Sequence, residues 1–188
     1  MEAFIVSAAV VAVGEIGDKT QLLALLLAAR FRRPVPILLG ILVATLLNHS
    51  LAALLGEWIR TSVGPEVLRW ALGISFLAIA AWALKPDELD LQPRDIGRYG
   101  AFAFTLVTFF LAEIGDKTQL ATMALAARFD SLAAVVAGTT TGILIADAPA
   151  VLLAGKASLR IPFKTVRYVA AALFAALGIA ALAGLRIA

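Results

Sequence analysis

The chain has 188 residues, 62% of them hydrophobic, with a formal charge of +3 and a mean hydropathy of +0.95. That composition excludes an ordinary water-soluble domain, and the length allows at most six or seven membrane-crossing helices of about 20 residues each. The absence of cysteine excludes disulfides, thiolate metal sites and thiol nucleophiles, and the basic residues form no stripe of the kind that binds nucleic acid.

Taken in chain order, apolar stretches predict six spans, at about Ala3–Ala29, Pro34–Gly56, Val67–Leu84, Ala101–Ala127, Leu132–Gly155 and Val166–Leu185. Met1-Glu2-Ala3-Phe4 has no basic n-region, so no signal peptide is expected. Trp58, Trp70, Trp82, Tyr99 and Tyr168 fall at or beside the span ends, where amphipathic rings sit at headgroup level. The polar stretch KPDELDLQPRDIGRYG carries two prolines, two glycines and seven charges, and it divides the spans three and three. The expected organisation is therefore a first three-helix repeat at 1–84, a linker at 85–100 and a second three-helix repeat at 101–188. Its acids Asp87, Glu88, Asp90 and Asp95 read as a solvated hinge.

Loop lysines and arginines give the orientation. Ten lie on one side (Arg30, Arg32 and Arg33, with the linker and the loop after the fifth span) and four on the other (Arg60, Arg69, Arg128, Arg186). The positive-inside bias makes the first side cytoplasmic, so both termini face outward and the central loop faces inward.

The duplication is the strongest feature. Residues 15–31 read EIGDKTQLLALLLAARF and residues 113–129 read EIGDKTQLATMALAARF, identical at 13 of 17 positions with an offset of 98. Because an odd number of spans separates the copies, the two halves run in opposite senses. The predicted fold class is an all-α membrane protein of six transmembrane helices, arranged as two inverted repeats like those of many secondary transporters.

Each motif puts Glu, Asp and Lys near the middle of a span. A charge at the bilayer centre costs about 2.5 to 3.5 kcal/mol on insertion scales, so these groups face a cavity or one another. On a continuous helix Glu15, Asp18 and Lys19 are spaced i, i+3 and i, i+4 and share a face, as do Glu113, Asp116 and Lys117. With both lysines charged each motif carries −1, and the pair suits a divalent cation. Thr20, Gln21, Thr118 and Gln119 offer further side-chain oxygens, provided the backbone unwinds locally, and Gly14, Gly17 and Gly115 permit that. Oxygen-rich sites without Cys favour hard cations such as Ca²⁺, Mn²⁺ or Mg²⁺. A plainer reading of Asp18 with Lys19, and of Asp116 with Lys117, is an ion pair that holds helices together. Asn48 and His49 fall mid-span in the second stretch. Asp147 falls mid-span in the fifth, aligned with His49 by the same offset of 98. His49 reads as an interhelical hydrogen-bond former or as a ligand or proton carrier, and Asp147 as an accessory acid with Thr139, Thr140 and Thr141 as partners.

The two E-x-G-D-K-[ST] motifs, Glu15–Thr20 and Glu113–Thr118, resemble those of a family of small cation transporters. That family includes Golgi and chloroplast manganese/calcium transporters and bacterial manganese exporters, a branch of the calcium/cation antiporters. The resemblance covers essentially the whole chain. It implies that Glu15, Asp18, Glu113 and Asp116 bind the cation, with Thr20 and Thr118 nearby. It further implies exchange of Mn²⁺ or Ca²⁺, with protons as counter-ion. The expected duty is manganese export across a bacterial inner membrane, with the metal as substrate, no cofactor and no enzymatic activity. Oligomeric state stays open. An exporter of amino acids or other small organic solutes is the rival transporter reading, but such a pocket wants apolar lining around one polar pair. A cation channel is the other rival, since acid rings also select cations.

Overall fold

The computed structural model describes residues 1–85, 100–154 and 163–184. The linker acids, Tyr99 and the loop after the fifth predicted span lie outside them. Eight helices occur among the described residues: α1 (Glu2–Glu15), α2 (Lys19–Phe31), α3 (Pro34–Ser62), α4 (Pro65–Ala83), α5 (Ala101–Glu113), α6 (Lys117–Arg128), α7 (Leu132–Leu153) and α8 (Phe163–Leu182).

The first and fourth predicted spans are not continuous helices. Each breaks at the motif, giving half-helices of 14 and 13 residues in the first and 13 and 12 in the fourth. At 1.5 Å per residue each half is only about 18–21 Å long, short of a bilayer core of about 30 Å. The expectation that Glu15, Asp18 and Lys19 share one continuous helical face is corrected accordingly. Four helices, α3, α4, α7 and α8, are long and apolar enough to cross a membrane by themselves. Proline marks the first turns of α3 and α4, where its missing N–H is not needed and its fixed φ suits the helix. The second predicted span runs on past Gly56 to Ser62.

The packing interleaves the two halves of the chain. The broken pair α1 and α2 packs on α7, the broken pair α5 and α6 packs on α3, and α4 pairs with α8. Glycines mark close approaches, two of them at repeat-related positions. A Cβ at Gly40 of α3 would meet the Phe102 carbonyl of α5 at 2.9 Å, and one at Gly138 of α7 would run into the Phe4 carbonyl of α1. Gly40 and Gly138, like Phe4 and Phe102, are related by the repeat offset of 98. Small residues thus bring backbones together where lipid supplies no hydrophobic drive for helix association.

Large apolar side chains cover much of the outside, and polar side chains of the same helices turn inward. Leu39, Leu47, Leu51, Leu54 and Leu55 of α3 are exposed, while Thr45, Asn48 and His49 of the same helix are buried. Trp58 and Trp70, also exposed, flank the α3–α4 connection, and Tyr168 is exposed near the start of α8. Two apolar clusters hold the bundle. One gathers Phe76, Leu125, Phe174 and Leu177, the other Leu23, Ile37, Ile41, Phe109 and Ile143, and the adjacent Val10 and Val11 of α1 enter one each. An exterior of this kind, on helices of this length, belongs to an integral membrane protein.

Candidate cation site

The residues of each motif explain the break that they cause. Ile16 (φ −58°, ψ 121°) and Gly17 (φ +82°) have the dihedrals of a type II β-turn, closed by the Asp18 amide donating to the Glu15 carbonyl at 2.9 Å. The second copy repeats it with Ile114 (φ −61°, ψ 120°), Gly115 (φ +73°) and an Asp116 amide 3.1 Å from the Glu113 carbonyl. Type II turns require positive φ at their third residue, which is where each motif has glycine. Asp18 and Asp116 then become the N-caps of α2 and α6, and the Asp18 carboxylate accepts from the Lys19 amide at 2.8 Å. A carboxylate at a helix N-terminus is favoured by the exposed amides and the macrodipole.

Gln21 and Gln119 brace these turns. Gln21 Oε1 accepts from the Gly17 amide at 2.9 Å, and Gln119 Oε1 from the Gly115 amide at 2.7 Å. Their amide groups reach into the opposite half: Gln21 Nε2 donates to the Ala146 carbonyl of α7 at 2.7 Å, and Gln119 Nε2 to Asn48 Oδ1 of α3 at 3.4 Å. Asn48 and Ala146 are themselves offset by 98. Asn48 Nδ2 also donates to the Phe110 carbonyl near the end of α5 at 2.9 Å. Reading the sequence for ligands missed this bracing role. The signal was present, because Gln sits three residues after the capping Asp, the spacing of a capping box.

The two turns meet through exchanged ion pairs. Lys19 Nζ lies 2.7 Å from Asp116 Oδ1, and Lys117 Nζ lies 2.8 Å from Asp18 Oδ1. Each lysine therefore crosses to the other copy's aspartate, in place of the neighbouring Asp18–Lys19 and Asp116–Lys117 pairs considered from the sequence. Glu15, Asp18 and Asp116 each bring a carboxylate oxygen within 4.8 Å of the other two. Glu113 stands beside them: Thr118 Oγ1 is 3.3 Å from both Glu113 Oε2 and Asp116 Oδ2. Thr20 is buried, and its hydroxyl has no hydrogen-bond partner.

Two residues outside the motifs join the site. His49 Nε2 is 3.8 Å from Glu113 Oε2, both side chains being fully buried, a separation too long for a hydrogen bond between them. Asp147 of α7 is fully buried, and neither carboxylate oxygen is hydrogen-bonded. Its expected threonine partners look elsewhere, Thr139 to the Val136 carbonyl and Thr141 to the Ala137 carbonyl, while the Thr140 hydroxyl is unpartnered. Glu15 lies within electrostatic reach of Glu113, Asp18, Asp147 and Asp116. Five buried carboxyl groups thus face two ammonium groups. Unpaired ionised groups at such depth are costly unless a cation or protons balance them, and Glu15 has neither carboxylate oxygen hydrogen-bonded.

An all-helical membrane bundle with buried acids on two broken helices is the architecture of a cation transporter. The comparisons narrow the class: the family described as divalent cation/proton antiporter GDT1 matches residues 3–91 and 101–186, and the chain belongs to that family. A Vibrio cholerae protein named "Putative manganese exporter" is 46% identical over 96% of this chain and 90% of its own length. The rice "GDT1-like protein 3" is 27% identical over 92% of this chain and 71% of its own. The Synechocystis "GDT1-like protein sll0615" is 29% identical over 93% of each. No solved structure matches the chain significantly.

Proposed function

We propose that this protein exports a divalent cation, Mn²⁺ before Ca²⁺, from a bacterial cytoplasm across the inner membrane in exchange for protons. One observation carries the reading: two acidic turns from opposite halves meet at a buried point where Glu15, Asp18 and Asp116 converge within 4.8 Å. Glu113, the hydroxyls of Thr20 and Thr118 and the braced Gln21 and Gln119 complete the surroundings. Lys19 and Lys117 tie the two turns together, and His49 and Asp147 border them. Membership of an antiporter family and likeness to a protein named as a manganese exporter support the cargo and the counter-ion.

In this reading each broken pair, α1 with α2 and α5 with α6, crosses the bilayer as one discontinuous span. That makes six spans in two inverted repeats, at 1–84 and 101–188, joined by a cytoplasmic linker with both termini outside. The C-terminal ends of α1 and α5 lend negative partial charge to the centre, and the turns expose backbone where it lines a cavity rather than lipid. Charge balance couples the two ions. With all five acids ionised, two lysines and one divalent cation still leave a negative excess, and losing the cation deepens it. A buried site that releases its cation must therefore take up protons to stay near neutrality.

The test is metal flux in proteoliposomes of the purified protein, with a pH-sensitive dye inside and an imposed proton gradient. Mn²⁺ movement against an opposing proton flux, abolished in Glu113→Gln, is the expected result. Metal flux indifferent to the proton gradient and to pH would overturn the exchange. Absence of flux for either metal would overturn the cation reading in favour of organic-solute export.

A further inference from the structure

His49 is a buried side chain at the site with both ring nitrogens unpartnered, as are both carboxylate oxygens of Glu15 and Asp147. It is fully buried on α3, and neither Nδ1 nor Nε2 is hydrogen-bonded. Its neighbour Asn48 bonds both to the Phe110 carbonyl and to Gln119, so the polar groups that brace this helix against α5 and α6 are already satisfied without it. An imidazole that merely filled space would leave a buried donor and acceptor unmade, which costs the desolvation of both groups. A structural histidine normally avoids that by a local hydrogen bond, and Glu113 Oε2 at 3.8 Å is too far to supply one.

That distance suits a different arrangement. Two donor atoms bound to one ion at about 2.1–2.3 Å each stand about 3–4.5 Å apart, and His49 Nε2 and Glu113 Oε2 fall inside that range. The corresponding position of the other half, offset by 98, holds Asp147 in place of histidine. Both are fully buried, and neither has a hydrogen-bond partner. The repeat is thus symmetric in its turns and lysines and asymmetric in the residue that α3 or α7 offers: nitrogen on one side, carboxylate oxygen on the other.

We propose that His49 is a nitrogen ligand to the transported cation and makes the site select Mn²⁺ over Ca²⁺. The inference rests on the cation-transport reading above and adds the determinant of its metal preference. Calcium takes six to eight oxygen ligands, whereas imidazole is a better partner for transition-metal ions. A site otherwise built of carboxylates and hydroxyls would bind either metal, and one nitrogen donor among the oxygens tips the preference.

The experiment compares Mn²⁺ and Ca²⁺ flux in proteoliposomes of wild type, His49→Gln and His49→Asp, each of which puts an oxygen donor at the position. The Mn²⁺ to Ca²⁺ flux ratio should fall about tenfold in both, with Ca²⁺ flux retained. His49 is the sole histidine of the chain, which allows a second readout on tag-free wild type loaded with Mn²⁺ alone. Pulsed electron paramagnetic resonance should show coupling to a directly bound imidazole nitrogen, with no ambiguity of assignment. Bound Mn²⁺ without that coupling overturns the inference even if neither variant folds. A ratio unchanged in folded variants, or equal loss of both metals, also overturns it and leaves the transport reading standing. No flux of either metal by wild type overturns both.

Discussion

Lys117 Nζ lies 2.8 Å from Asp18 Oδ1, and Lys19 Nζ lies 2.7 Å from Asp116 Oδ1, so each copy of the motif supplies the counter-charge of the other. The two halves are thereby locked at the level of the acids, in addition to the interleaved helix packing.

Breaking one of these pairs should be costly, because Lys117 and Asp18 are both almost completely buried and a stranded partner keeps its desolvation penalty. Asp18→Asn and Lys117→Met should each destabilise the protein by about 3–5 kcal/mol. The double variant should lose less than the sum of the two, with a coupling of about 1–3 kcal/mol. Unfolding of the four proteins in detergent checks this. Strict additivity would mean that the two side chains are not energetically linked.

Gly115 has φ +73°, and a Cβ built there meets nothing within 4 Å. Any penalty for substitution is therefore one of backbone conformation. Gly115→Ala should cost about 1–2 kcal/mol, and Gly115→Asn less, since asparagine tolerates the left-handed region. The order of the two melting temperatures decides the matter: alanine at or above asparagine would contradict the type II turn.

Gly138→Ala should be severe for the opposite reason. The added methyl runs into the Phe4 backbone carbonyl of α1, whereas one at Gly64 meets nothing within 4 Å. Overpacking against rigid backbone costs about 1–3 kcal/mol, so Gly138→Ala should melt well below Gly64→Ala. Equal melting temperatures would show that the α1–α7 contact is looser than described.

Glu15→Gln should reduce Mn²⁺ flux at least about tenfold, as Glu113→Gln should, while leaving the purified protein folded and monodisperse. Glu15 is fully buried, with both carboxylate oxygens lacking a hydrogen-bond partner, so its charge has no structural counterpart to lose. Normal flux in either variant would separate the two motifs into independent sites and end the claim that they build one.

Much of the architecture could be read from the chain. Apolar runs marked the long helices α3, α4, α7 and α8 to within a few residues at most ends, although α3 continues six residues beyond Gly56 to Ser62. The motifs announced acids kept out of lipid, and the structure buries Glu15, Asp18, Glu113 and Asp116. What periodicity could not reveal was the break, because an apolar run with acids in it reads the same whether its helix is continuous or interrupted. The glycine at the third position of each motif permitted local unwinding on the sequence reading, and the positive φ angles of Gly17 and Gly115 show where it occurs.

By itself the sequence determined what each segment must avoid. Leucine-rich faces cannot sit in water, and Glu15, Asp18, Glu113 and Asp116 cannot sit in lipid, since the transfer of either to the wrong solvent is costly. Those are properties of single residues and their spacing, so composition and pattern suffice to state them. Only the tertiary structure decided which partner each group met. Lysines reach across to the other copy's aspartate, Gln21 and Gln119 brace the turns, and His49 faces Glu113 across the α3–α5 contact. Such pairings depend on how two halves approach in space, through close backbone contacts such as those at Gly40 and Gly138.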